Sequence, residues 1–165
     1  MGRSMRNGAS DVLKLHPVLL VVVLSAALFF AASAWSTPLL YENIAGWAGS
    51  WQKKLFSFVC HQQIDRSFHI GGVPLAVCSR CTGIYTGLLS GLMIFSVIYA
   101  SVNSWKHYIT GIFLIGSLVA VVDGSANILE FWSTADSYRS VIGAVWGFSA
   151  GGLLVFAIII PREKK

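Results

Sequence analysis

Four stretches of this chain are long and apolar enough to cross a lipid bilayer, and this constrains its fold more than any other feature. They cover residues 17–35, 82–102, 108–129 and 141–160, and about 20 apolar residues in a helix span the hydrocarbon core. Backbone groups in hydrocarbon must bond one another, which leaves helices or closed barrels. The expectation is an all-α membrane protein: one bundle of about four transmembrane helices filling residues 1–165, with no separate soluble domain. Only 12% of the residues are charged, roughly half the share in soluble domains. Pro161 and the Arg-Glu-Lys-Lys after it stop the last helix.

The basic residues at the two ends, Arg3, Arg6 and Lys14 at one and Arg162, Lys164 and Lys165 at the other, suit anchoring at a cytoplasmic membrane surface. No basic stripe or recognition motif accompanies them, which argues against a nucleic-acid partner. Ala32-Ser33-Ala34 resembles a signal-peptide cleavage site. The apolar run before it is longer than a signal core and more spans follow, so an uncleaved anchor is expected. A cytoplasmic N-terminus leaves seven Lys and Arg inside (those six and Lys106) against five outside (Lys53, Lys54, Arg66, Arg80 and Arg139). The expected location is the prokaryotic plasma membrane, with the lipid bilayer as the main partner.

Residues 38–81 join the first two spans. Ser36-Thr37-Pro38 reads as a helix start. Leu40, Ile44, Trp47, Trp51, Leu55 and Phe58 then recur every three or four residues, which predicts one amphipathic helix in the headgroup layer or packed on the bundle. Gly71-Gly72 and Pro74 predict a turn after it.

Two spans carry glycines at four-residue intervals: Gly83, Gly87 and Gly91 in the second, Gly143, Gly147 and Gly151 in the fourth. Each series makes a smooth face where another backbone can approach. Such faces serve contacts within one chain or a homo-oligomer equally well.

All three cysteines, Cys60, Cys78 and Cys81, fall in one short region with His61 and His69. A C-x-x-C pair lets two sulfurs converge on one ion, and Cys60 with a histidine completes a Cys3His set typical of zinc. Adjacent residues rarely ligate one ion together, so spacing favours His69 over His61. A redox reading competes: Cys78 and Cys81 at a helix N-terminus beside Arg80 have the setting that lowers a thiol pKa. Cys60 would then act as relay, with a quinone as partner. The third reading is inert buried cysteines or a static disulfide. Asp123, Asn127 and Glu130 share one face of the third span, and Arg139 opens the fourth. A carboxylate in a span needs a partner or a wet cavity. Asp123 paired with Arg139 or Arg80 locks helices together; Asp123, Arg139 and Arg80 are also the catalytic candidates if an ion at the cysteines keeps a position open to water.

Cys60-His61-Gln62, Arg66-Ser67-Phe68, the run Cys78 to Gly87 (C-x-R-C-x-G-I-Y-x-G), Asp123-Gly124, and Arg139 with Gly143 and Gly147 together resemble a family of small prokaryotic membrane proteins known as a domain of unknown function. The resemblance spans most of the chain from Cys60 onward. It implies membership without a reaction, and its motif contains His61 and not His69. Spacing and resemblance therefore favour different histidines, and both stand as metal candidates. The leading expectation is a zinc-like ion held by Cys60, Cys78, Cys81 and a histidine near the outer face.

Overall fold

A computed structural model of the chain describes residues 14–15, 17–102, 106–129 and 134–160. It is an all-α membrane bundle whose four long helices are apolar enough to span: α1 (Pro17–Leu40), α4 (Ser79–Val102), α5 (Lys106–Ile128) and α6 (Asp136–Ile158). Between α1 and α4 lie two six-residue helices, α2 (Ile44–Gly49) and α3 (Trp51–Phe56), a 3-10 turn (Ile64–Arg66) and a small hairpin. Its strands, β2 (His69–Ile70) and β3 (Val73–Pro74), flank Gly71 and Gly72, both at positive φ (59° and 83°). That conformation suits a tight hairpin turn and glycine adopts it freely. At the opposite end β1 (Lys14–Leu15) pairs antiparallel with β4 (Ile159–Ile160). The start of α1 and the end of α6 therefore meet, as four alternating crossings require.

In the bundle α1 packs on α4, α4 on α6 and α6 on α5. Phe30 of α1 stacks on Tyr85 of α4. Phe113 of α5 stacks on Trp146 of α6, whose indole N–H donates to Ser117 Oγ at 2.6 Å. The α4–α6 contact is the tightest. A Cβ built on Gly83, Gly87 or Gly91 would lie 2.0, 2.2 or 2.3 Å from the carbonyl oxygens of Ser140, Ala144 and Phe148. On the other side, Cβ atoms at Gly143, Gly147 and Gly151 would lie 2.2, 2.2 and 2.6 Å from those of Arg80, Ile84 and Leu88. Partners rise in number together, so α4 and α6 run parallel with their backbones touching. Each glycine face covers the other inside one chain. A homo-oligomer would have to use another surface.

The segment after the first span departs from expectation in two places. Pro38 does not start a helix; it lies inside the last turn of α1, which continues to Leu40. A proline in a helix forfeits one backbone bond and crowds the carbonyl four residues back. Here the turn holds because Thr37 is fully buried and its carbonyl accepts from Tyr41 N–H at 3.0 Å. The single amphipathic helix is two, broken at Ser50. Ser50 is extended (φ −64°, ψ 145°); its N–H caps α2 through Trp47 O while its Oγ accepts from Lys53 N–H to start α3. The bend divides the expected stripe: Trp47 is buried, whereas Trp51 and Phe58 are exposed, and Phe56, which the stripe did not include, is buried. The second and fourth helices also begin earlier than 82 and 141, which brings Cys81 and Arg139 inside first turns.

Candidate metal centre

The cysteines converge. Cys60, Cys78 and Cys81 place their Sγ atoms within 4.8 Å of one another, at the bundle end that carries the hairpin. Cys78 accepts the first helical bond of α4 (Thr82 N–H to Cys78 O, 3.0 Å), which makes it the cap residue, and Cys81 follows one turn on. Residues three apart across a first turn face the same way, so the C-x-x-C spacing is a helix-start device here. Cys60 arrives from the other side, just beyond α3, with its N–H on Phe56 O at 2.9 Å. The Cys78 backbone N–H donates to Cys60 Sγ at 3.3 Å, a bond that favours a thiolate on the acceptor. Ala34, Phe56, Ala76 and Val77 wall in Cys60, and Phe30, Phe56 and Tyr85 form an aromatic floor.

Gln62 sets the approach of Cys60. Its backbone has φ +52°, and its side-chain amide donates to Lys53 O at 2.7 Å and Ala76 O at 3.0 Å. One residue thus ties α3 to the segment between β3 and Cys78. Gln62→Leu leaves the buried Ala76 carbonyl without this donor, at a cost of about 1–3 kcal/mol. The expected readout is a lower Tm and faster alkylation of Cys60; Gln62→Gly, which suits the positive φ, should show the same loss if the amide and not the turn is responsible.

The thiols are electrostatically unequal. Cys78 is pulled well below the ordinary thiol range, first by the hydrogen bond from the Cys60 side chain, then by that from Cys81, with the N–H groups of Cys81 and Arg80 adding to it against burial. The Cys60 thiol is pushed up, chiefly by its contact with Cys78 and then by burial, although Cys81 opposes the rise. Cys78 therefore ionises first, and further thiolates this close need a compensating positive charge.

Neither histidine belongs to the sulfur cluster. His69 stands exposed on β2, and His61, also exposed, lines a cavity of about 220 Å³ together with Gln63, Arg66, Cys78, Arg80, Gly124 and Arg139. Asp123 on α5 pairs with Arg80 and accepts a further hydrogen bond from Thr134. Gly124 supplies the room: a Cβ there would sit 3.3 Å from Arg80 Nη1. Arg139 is buried and reaches Asp136 at 3.5 Å, and Asp136 also accepts from Ser79 Oγ at 3.0 Å. Glu130 lies outside the described residues, and Asn127 lies on α5. Sequence reasoning missed Asp136, although an acidic residue in a first turn three before an arginine is a recognisable pairing signal.

A family model for a predicted membrane protein, DUF2085, matches residues 60–153, from the first cysteine through the glycine series of α6. The chain belongs to the DUF2085 family. Two archaeal relatives, both described as uncharacterised, share this region. One, from Methanocaldococcus jannaschii, is 34% identical over 58% of this chain and 60% of its own length. The other, from Methanothermobacter thermautotrophicus, is 28% identical over 65% of this chain and 91% of its own. This DUF2085 chain thus spans less than two thirds of the first relative's length. No solved structure matches it. The region matched by the family holds every residue of the sulfur cluster and of the adjacent cavity.

Proposed function

We propose that this protein holds one zinc-like ion through Cys60, Cys78 and Cys81 at the outer face of the prokaryotic plasma membrane, with its N-terminus in the cytoplasm. The observation that carries this reading is the convergence of three sulfurs, from two separate segments, within 4.8 Å. Three thiolates and one more donor make a common zinc set. His61 is the proposed fourth ligand, because it lines the same cavity as Cys78, whereas His69 is held on the hairpin. The ion would pin the long loop to α4, a structural role. A catalytic role needs the fourth position left to water, with Arg80, Arg139 and Asp123 beside it.

Thiol–disulfide exchange is the second reading, supported by the lowered Cys78 thiol, which lines an open cavity, and by the lack of a disulfide among the three cysteines. Cys60 would relay electrons and a quinone would be the redox partner. Anaerobic purification in detergent, followed by metal analysis and thiol counting, separates the two. About one zinc per chain, with thiols that react only after a chelator is added, supports the metal site. A metal-free protein with one disulfide that opens under mild reductant sinks it.

A further inference from the structure

The cavity beside the sulfur cluster has a chemistry of its own. Three arginines line it from three elements: Arg66 from the 3-10 turn, Arg80 from the first turn of α4 and Arg139 from the first turn of α6. His61 and Gln63 line it too, and among the described residues no carboxylate is part of the lining. Each arginine has a carboxylate neighbour set off the wall: Asp123 for Arg80, Asp136 for Arg139 at 3.5 Å, and the exposed Asp65 for Arg66 at 3.8 Å. A guanidinium has five N–H donors, so a carboxylate on one edge of Arg66 or Arg80 orients the fork and leaves donors for a ligand. The positive ends of the α4 and α6 dipoles face the same end of the bundle.

We infer that this cavity binds a phosphate ester, its phosphoryl oxygens shared among Arg66, Arg80 and Arg139. A carboxylate is planar and is satisfied by one bidentate arginine, whereas three forks arriving from different elements suit a tetrahedral group with three oxygens. The cavity, about 220 Å³, holds roughly seven waters at about 30 Å³ each. That exceeds a bare phosphate and leaves room for part of an organic substituent. The phosphate can belong to a soluble ester or to a lipid headgroup, since the chemistry recognised is the same. The inference stands on the arginines and does not require the metal.

The test is calorimetric titration of the full chain with inorganic phosphate, in dodecyl maltoside and at fixed ionic strength, with zinc content measured on each sample. One saturable site per chain is expected, weakened at least about tenfold by Arg66→Gln, the loss of one charge-assisted contact. Arg66 is partly exposed and, among the described residues, its ion pair is a weak one with its neighbour Asp65, so this variant should fold; Arg80→Lys, which keeps the charge and loses the fork, should weaken binding as well. Mixed micelles containing phosphatidylglycerol compete with free phosphate if the ligand is a headgroup and leave it unchanged if the ligand is soluble. Absence of saturable binding overturns the inference, as does equal affinity in the wild type and both variants. Binding that vanishes with a chelator while Arg66→Gln has no effect also overturns it, because the anion would then sit on the ion. Phosphate binding by zinc-free protein upholds the inference and counts against the metal reading alone.

Discussion

Gly87→Ala is expected to destabilise this protein by about 3 kcal/mol or more, the upper range for overpacking. An added Cβ would lie 2.2 Å from the carbonyl oxygen of Ala144 and 2.8 Å from its Cα. Both are backbone atoms, so no side chain can swing aside and α6 itself must move. Gly111 on α5 is the matched control. It has nothing within 4 Å of an added Cβ, and replacing a helical glycine there should add about 0.5–1 kcal/mol of stability. Thermal unfolding in detergent reads both; equal Tm values would mean that α4 and α6 do not touch as described. The same contact has a functional consequence. A Cβ on Gly143 would strike the Arg80 carbonyl at 2.2 Å, so the glycine faces are what bring Arg80 and Arg139 to one cavity. Gly143→Ala should therefore weaken phosphate binding together with stability, whereas Gly111→Ala should leave binding intact.

The four spans were legible in the sequence because twenty apolar residues have few alternatives in a membrane protein, and the observed helices differ from the expected ones mainly by starting earlier. The meeting of the three cysteines was legible as well, since Gly71 and Gly72 announce the turn that folds Cys60 back. What could not be read was anything decided by competition between local signals. Ser36-Thr37-Pro38 carries the chemistry of a helix start, yet burial of Thr37 holds it in a helix end. Ser50 looks like an ordinary polar position on an amphipathic helix, and only its two capping bonds reveal the break. The glycine series showed that two backbones approach, without showing that their partners are each other. Asp123 had two plausible arginines, and its pairing with Arg80 is a relation between α4 and α5 that no spacing within one helix encodes. Position in space, which spacing does not encode, separates the two histidines: His69 lies in a hairpin and His61 shares a cavity with Cys78, and the proposal of His61 rests on that.

Cys60→Ser is the variant that tests the metal reading hardest. It removes one of three sulfurs and the acceptor of the Cys78 N–H bond. A ligand present at a thousand times its dissociation constant stabilises the folded state by about 4 kcal/mol, so an ion that holds the loop to α4 should take a comparable amount with it when lost. The expected result is a fall from about one zinc per chain to almost none, a Tm no higher than that of chelated wild type, and alkylation of Cys78 and Cys81 without added chelator. Comparison with chelated wild type is the decisive control. If the ion supplies the stability, chelation and substitution reach the same low Tm and do not add. If Cys60 matters only as a packed side chain among Ala34, Phe56, Ala76 and Val77, the variant loses stability whether or not metal is present, and chelating the wild type changes nothing. A trapped mixed disulfide through Cys78 or Cys81 in the Cys60→Ser protein would transfer the site to thiol exchange. That outcome is intelligible from the same geometry, because sulfurs close enough to share an ion are also close enough to pass electrons between them.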